Sequence, residues 1–179
     1  MKIAYLDILY DGTDAFEQLA HDLNRHAPKG VSVDYHYVTG TNNLEYIVFE
    51  NLVLNSIVIK INELRNAGYD AVIVGCFHDP AVDAARELYD DIIIAGPGEA
   101  SIQIASTLGK NYSIISVRSK TTAKMMENIE KTGLGSKLCS VRPLGIRVAD
   151  LQKNHALLRK RMDEEITKAI DEDGAEVII

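Results

Sequence analysis

Ala71-Val72-Ile73-Val74-Gly75-Cys76-Phe77-His78-Asp79-Pro80 is the stretch whose reading decides the fold. Four apolar residues, three of them β-branched, form a short run with no polar alternation. Such a run fits a parallel strand covered on both faces. Asp79 is a suitable N-cap and Pro80 a suitable first helical residue, so a helix is expected over Pro80–Tyr89. Strand, tight turn and helix make one βα unit.

The same alternation extends both ways. Strands are expected at Lys2–Asp7, Val31–Val38, Ile92–Ala95, Tyr112–Val117, Lys137–Val141 and Glu176–Ile179. Helices are expected at Asp14–Ala27, where Phe16, Leu19, Ala20 and Leu23 share a face, and at Asn51–Asn66, Glu99–Leu108, Thr121–Lys131 and Asp150–Asp171. Gly174 stands where a helix-ending glycine belongs. Repeated βα units argue for an α/β fold with parallel sheets flanked by helices. Gly96-Pro97-Gly98 is a natural boundary, giving a first lobe over residues 1–96 and a second over 97–179.

Composition narrows the function classes. The chain has 179 residues, 46% hydrophobic and 25% charged, with a formal net charge of -7. An acidic surface repels phosphate backbones, which argues against nucleic acid as a partner. No apolar run reaches the roughly 18 residues that span a bilayer, so no membrane partner is expected. The N-terminus lacks the long apolar run of a secretory signal. Two cysteines, Cys76 and Cys139, make no disulfide scaffold, and a reducing, cytoplasmic location is the reading. The partner expected is a small-molecule substrate, with room for a homo-oligomer.

Ligands of parallel sheets bind beyond the strands' C-terminal ends. Cys76 lies at such an end, close to an expected helix N-terminus whose partial positive charge favours thiolate. On placement alone it reads rather as a small buried hydrophobe. Cys76 and His78 lack a third ligand for a metal site. Gly96-Pro97-Gly98-Glu99-Ala100-Ser101 lacks the third glycine of a dinucleotide loop. Ser116, Ser119, Thr121 and Thr122 gather at an expected helix start, where they either seat a carboxylate or cap the helix. Arg159-Lys160-Arg161, beside Asp163, Glu164 and Glu165, reads as a solvated, salt-bridged face.

Gly75-Cys76-Phe77-His78-Asp79-Pro80, followed by Asp83-Ala84-Ala85-Arg86-Glu87-Leu88, resembles the first cysteine motif of the aspartate/glutamate/hydantoin racemase family, in its hydantoin racemase branch. A glycine commonly occupies the place of His78 there. Gly96-Pro97-Gly98-Glu99-Ala100 is similar to that family's glycine-rich turn. Tyr112–Val117, Cys139-Ser140-Val141-Arg142 and Gly174–Ile179 are similar to its later segments. The resemblance implies two Rossmann-like α/β lobes with the active site between them. It implies cofactor-independent racemisation or epimerisation of a small hydantoin- or amino-acid-like molecule, with Cys76 as the catalytic thiol. It sets Asp7, Gly75, Phe77, His78, Ser116 and Val117 around the substrate, Asp7 toward an amine or ring N–H. The Phe77 backbone and the Ser116 hydroxyl are its candidates for stabilising an oxyanion. In place of the family's Asn-Pro-Asn-Thr-like turn stand Asp7-Ile8-Leu9-Tyr10, a more apolar wall. The second catalytic cysteine is expected after the strand that Glu176 begins, beyond Ile179, and Cys139 is read as structural. Rival readings are a one-cysteine decarboxylase or isomerase of the superfamily, and a non-catalytic small-molecule binding protein.

Overall fold

The computed structural model describes residues 1–8, 15–39, 46–151 and 153–179. The chain forms two compact units, Met1–Pro97 and Gly98–Ile179.

In the first unit, β1 (Lys2–Asp7), β2 (Ser32–Tyr37), β3 (Ala71–Val74) and β4 (Ile93–Ala95) form a parallel sheet in the order β2-β1-β3-β4. α1 (Ala15–His26), α2 (Ile47–Asn66) and α3 (Val82–Leu88) cover it. Residues of a strand point alternately to opposite faces. Ala4, Leu6 and Ile8 join Val72 and Val74 in a cluster with Val53, Ile57 and Ile61 of α2 and Val82 and Ala85 of α3. Tyr5 and Val33 pack with Ala20 and Leu23 of α1 on the opposite face. The side chain of Phe16, expected there too, lies outside the described residues.

Asn24 fastens α1 to β2. Its Oδ1 accepts from the Val33 N–H at 2.7 Å, and its Nδ2 donates to the Val33 carbonyl. One amide thus substitutes for a neighbouring strand at that residue.

The second unit holds β5 (Tyr112–Ser116), β6 (Leu138–Pro143) and β7 (Val177–Ile178), parallel and in the order β6-β5-β7. α4 (Pro97–Leu108), α5 (Thr122–Lys131) and α6 (His155–Asp171) accompany it, α6 packing on β5 and β6. Tyr112, Ser113 and Ile114 are fully buried, as are Ile129 of α5 and Ala169 of α6.

Arg142 of β6 binds the segment that leaves α6. Its Nε donates to Asp173 at 2.6 Å, and its two terminal nitrogens reach Asp173, Glu172 and Glu165. Hydrogen bonds from Arg142 hold the Asp173 carboxyl down at about 2. On the outer face of α6, Lys160 and Arg161 pair with Glu164, as the sequence suggested.

Some expected boundaries move. α2 begins at Ile47 rather than Asn51, because burial of one stripe outweighs the weak helix propensity of β-branched residues. The helix expected from Asp150 begins at His155, where the Asn154 side chain caps it by accepting from the Leu157 N–H at 2.9 Å. Gly174, at φ 76°, takes the left-handed turn after α6, and the Ala175 N–H returns to the Ala169 carbonyl at 3.0 Å. No helix among the described residues is long and apolar enough to cross a membrane.

Asn24→Ala leaves buried Val33 groups unsatisfied and lowers unfolding free energy by about 1–3 kcal/mol in urea titration. Asp173 is ionised more readily in the fold than out of it. Its contribution is present above the ordinary aspartate range and is lost as pH falls through about 2. Asp173→Asn therefore lowers stability at neutral pH and flattens its decline between those limits, measured by thermal unfolding across pH.

Candidate active site

Each unit presents a strand-end cluster. In the first, β1 and β3 lie side by side, and the Gly75 N–H continues their ladder by donating to the Leu6 carbonyl at 2.8 Å. The chain then turns sharply. The Cys76 N–H donates to the Val74 carbonyl at 2.7 Å, and the Asp79 N–H to the Cys76 carbonyl at 3.0 Å. Asp79 and Ala81 both adopt left-handed backbone conformations, at φ 50° and 63°.

That turn corrects the expected helix. α3 starts at Val82, and Ala81 occupies the N-cap position without a side-chain cap. Asp79 does not cap it; its carboxyl packs directly over Gly96, where a Cβ would collide with it. Gly75 is equally constrained, since an added Cβ would lie 2.7 Å from the Tyr5 hydroxyl.

Cys76 is half-buried, and its side chain packs against the apolar cluster of α2 and α3. Burial pushes its thiol up to about 12. The His78 backbone N–H, donating to the sulfur, opposes this, while the charges of Glu50 and Asp79 add to it. A downward shift was expected from a nearby helix N-terminus. Burial, with the charges of Glu50 and Asp79 adding to it, reverses its sign. In the ligand-free chain the neutral thiol dominates at neutral pH, and thiolate accumulates only as pH climbs toward that value.

Two carboxylates are interior here. Asp7, 1% exposed, accepts a hydrogen bond from the Tyr35 hydroxyl at 2.7 Å. Glu50, 4% exposed, sits on the buried stripe of α2 and meets the His78 imidazole, with Nδ1 to Oε2 at 3.1 Å. Tyr5 interacts electrostatically with both Asp7 and Cys76, and burial pushes its phenol up to about 12. Phe77 lies in the same turn. Leu9 and Tyr10, expected as an apolar wall, lie outside the described residues; Ile8 is buried in the core.

In the second unit, Ser116 ends β5 and Val117 follows it. Thr121 Oγ1 donates to the Arg118 carbonyl at 2.7 Å, which commits its only proton. Ser116 Oγ, 3.0 Å from Thr121 Oγ1, is therefore the donor of that pair. In this arrangement Ser116 offers a ligand a lone pair rather than the proton expected for an oxyanion. The Val117 carbonyl accepts from the Ile146 N–H at 3.1 Å.

Glu50, Tyr5 and Tyr35 were not singled out in the sequence. Glu50 had a signal: it shares helical spacing with Val53, Ile57, Ile61 and Leu64, so it is an acid on an apolar stripe.

The family model described as Asp/Glu/Hydantoin racemase matches residues 12–179. A hydantoin racemase from a Pseudomonas species is 25% identical over 140 residues, covering 78% of this chain and 56% of that protein. A hydantoin racemase from Paenarthrobacter aurescens is 28% identical over 110 residues, covering 62% of this chain and 46% of that one. The chain thus spans about half the length of the curated relatives it matches. The structure of an allantoin racemase from Klebsiella pneumoniae superposes with a TM-score of 0.89 at 20% identity, covering 99% of this chain and 72% of that one. At that identity the superposition shows the fold: parallel sheets flanked by helices.

The raised thiol gives a direct prediction. With Cys139→Ser leaving one cysteine, the ultraviolet absorbance of thiolate stays absent below about pH 9 in the ligand-free protein. A thiolate signal at neutral pH would contradict it.

Proposed function

Because the chain belongs to the Asp/Glu/Hydantoin racemase family, we propose that it inverts the stereocentre next to a carbonyl in a small hydantoin- or amino-acid-like molecule, with Cys76 as a proton-transferring thiol. The observation that carries this reading is the position of Cys76. It stands at the C-terminal end of β3, in a turn tied to β1, where parallel sheets bind ligands.

The chemistry needs no cofactor. The Cys76 thiolate takes the proton from the α-carbon as the C–H bond breaks, and the electron pair delocalises into the adjacent carbonyl. An acid on the opposite face returns a proton to carbon, because delivery from the side of removal would restore the starting isomer. Thiols suit both tasks when their acidity is tuned near working pH. Developing oxyanion charge requires oriented donors, and the Phe77 backbone N–H is the first-unit candidate. Asp7, held by Tyr35, is suited to accept from a ring or amine N–H. A molecule with an N–H beside a carbonyl fits Asp7 and the Cys76 turn, as a hydantoin does.

The test is a panel of single-enantiomer hydantoins and amino acids in deuterium oxide, followed by proton NMR and optical rotation. Exchange at the α-carbon with loss of optical activity is expected, and Cys76→Ala should slow it by about 10²–10⁴-fold. Exchange with retained configuration would mean one working base and would favour the decarboxylase-or-isomerase reading. Bound ligand whose α-proton never exchanges would overturn enzymatic racemisation.

A further inference from the structure

The turn that carries Cys76 is held in a costly shape. Asp79 and Ala81, at φ 50° and 63°, are the non-glycine residues with positive φ among the described residues. Left-handed backbone is unfavourable for a residue with a Cβ, least so for Asp and Asn. Glycine adopts it freely, yet neither position holds one. Such conformations persist only where the surroundings over-determine them, and they gather at functional sites.

Asp79 supplies the over-determination. Its N–H donates to the Cys76 carbonyl at 3.0 Å, and its carbonyl accepts from the Val82 N–H at 3.3 Å. One residue thus links the thiol's own carbonyl to the start of α3. Its side chain reaches toward the neighbouring strand: β3 pairs with β4, and Gly96 follows β4. There the Asp79 carboxyl rests on Gly96, where an added Cβ would overlap Cγ and Oδ1 and stand 2.8 Å from the Asp79 Cβ. Gly96 is not left-handed. Its missing side chain is needed for space rather than for backbone freedom, and the Asp79 carboxyl fills that space.

We propose that Asp79 is the positioning residue of the Cys76 turn: its carboxyl, seated on Gly96, holds the left-handed backbone that fixes where the sulfur stands. This rests on the reading of Cys76 as the proton-transferring thiol. A side chain at residue 96 would evict the carboxyl, and the turn would then lose a contact that offsets its backbone cost. The Asp79 charge is not what the seat uses. It adds to the upward push that burial gives the thiol, so it works against thiolate. A group that opposes ionisation of the sulfur and still stands beside it serves the geometry. Placement governs the rate here, since a displacement of about 1 Å costs roughly 10²-fold.

Amide hydrogen exchange at residue 79, whose N–H bonds the Cys76 carbonyl, reads the turn with no substrate present. It is followed by NMR in the full chain, corrected for intrinsic rates, beside α-proton exchange kinetics on the hydantoin panel. Gly96→Ala and Asp79→Gly each remove the seat, the second while leaving left-handed backbone unstrained. Both are expected to speed exchange at that amide at least about tenfold relative to the Val72 amide of β3. Both are also expected to lower kcat about 10²-fold with KM nearly unchanged. Asp79→Asn keeps the shape and loses the charge, and should retain the protection and most of kcat. Asp79→Gly combined with Gly96→Ala should be no worse than either alone, because both remove one contact. Unchanged amide protection in the single variants, or losses that add in the double, overturns the seat. So does an Asp79→Asn that matches Asp79→Gly, which would make charge the cause. If Gly96→Ala does not fold, Asp79→Gly set against Asp79→Asn decides. The two readings fail separately. A wild type without α-proton exchange sinks the racemase reading while amide protection still decides the seat, and lost protection with kcat unchanged sinks the positioning role alone.

Discussion

Everything in the first unit converges on the burial of a strand end. β3 is wholly apolar and flanked by β1 and β4, so its C-terminal residue emerges into a corner that water hardly enters. Apolar side chains from α2 and α3 close that corner on one side, and the Tyr5 hydroxyl closes over Gly75. A thiol placed there is hard to ionise. Two buried carboxylates, Asp7 and Glu50, share the corner with it. Such a site resists charge at rest and magnifies every electrostatic contact made within it.

The same physics gives each carboxylate a partner. Tyr35 donates to Asp7, and His78 meets Glu50. These bonds fix side chains that would otherwise cost more than the fold can bear. They also convert an apolar cleft into one with direction. Asp7 is carried by β1 and Glu50 by α2, and the Cys76 turn follows β3, which pairs with β1. The second unit repeats the theme with hydroxyls, where Thr121 commits Ser116 to donation within the protein and leaves an acceptor for anything else.

Much of this was legible in the sequence for one reason: local patterns decide it. Ala71–Val74 reads as a buried strand because it lacks polar alternation, and all of it but Ile73 is buried. Cys76 stood out because a strand had to end there. Glu50 was missed because the helix was expected to begin at Asn51, which left Glu50 in a loop. Tertiary burial extended α2 backward and turned it into an interior group. The sign of the shift at Cys76 was equally hidden. It depends first on burial under the side chains of α2 and α3, and then on a carboxylate from a distant helix. Neither is a property of the Cys76 motif. Tyr5 over Gly75 likewise joins residues far apart in the chain.

In the proposed reaction the Cys76 sulfur faces the α-carbon of a bound substrate. An affinity label tests it most directly: a hydantoin carrying a bromomethyl group on that carbon, incubated with the protein and mapped by peptide mass spectrometry. One adduct is expected, on Cys76, forming with saturation and slowed by added hydantoin. Labelling of Cys139, or of Cys76 without saturation or protection, would contradict it.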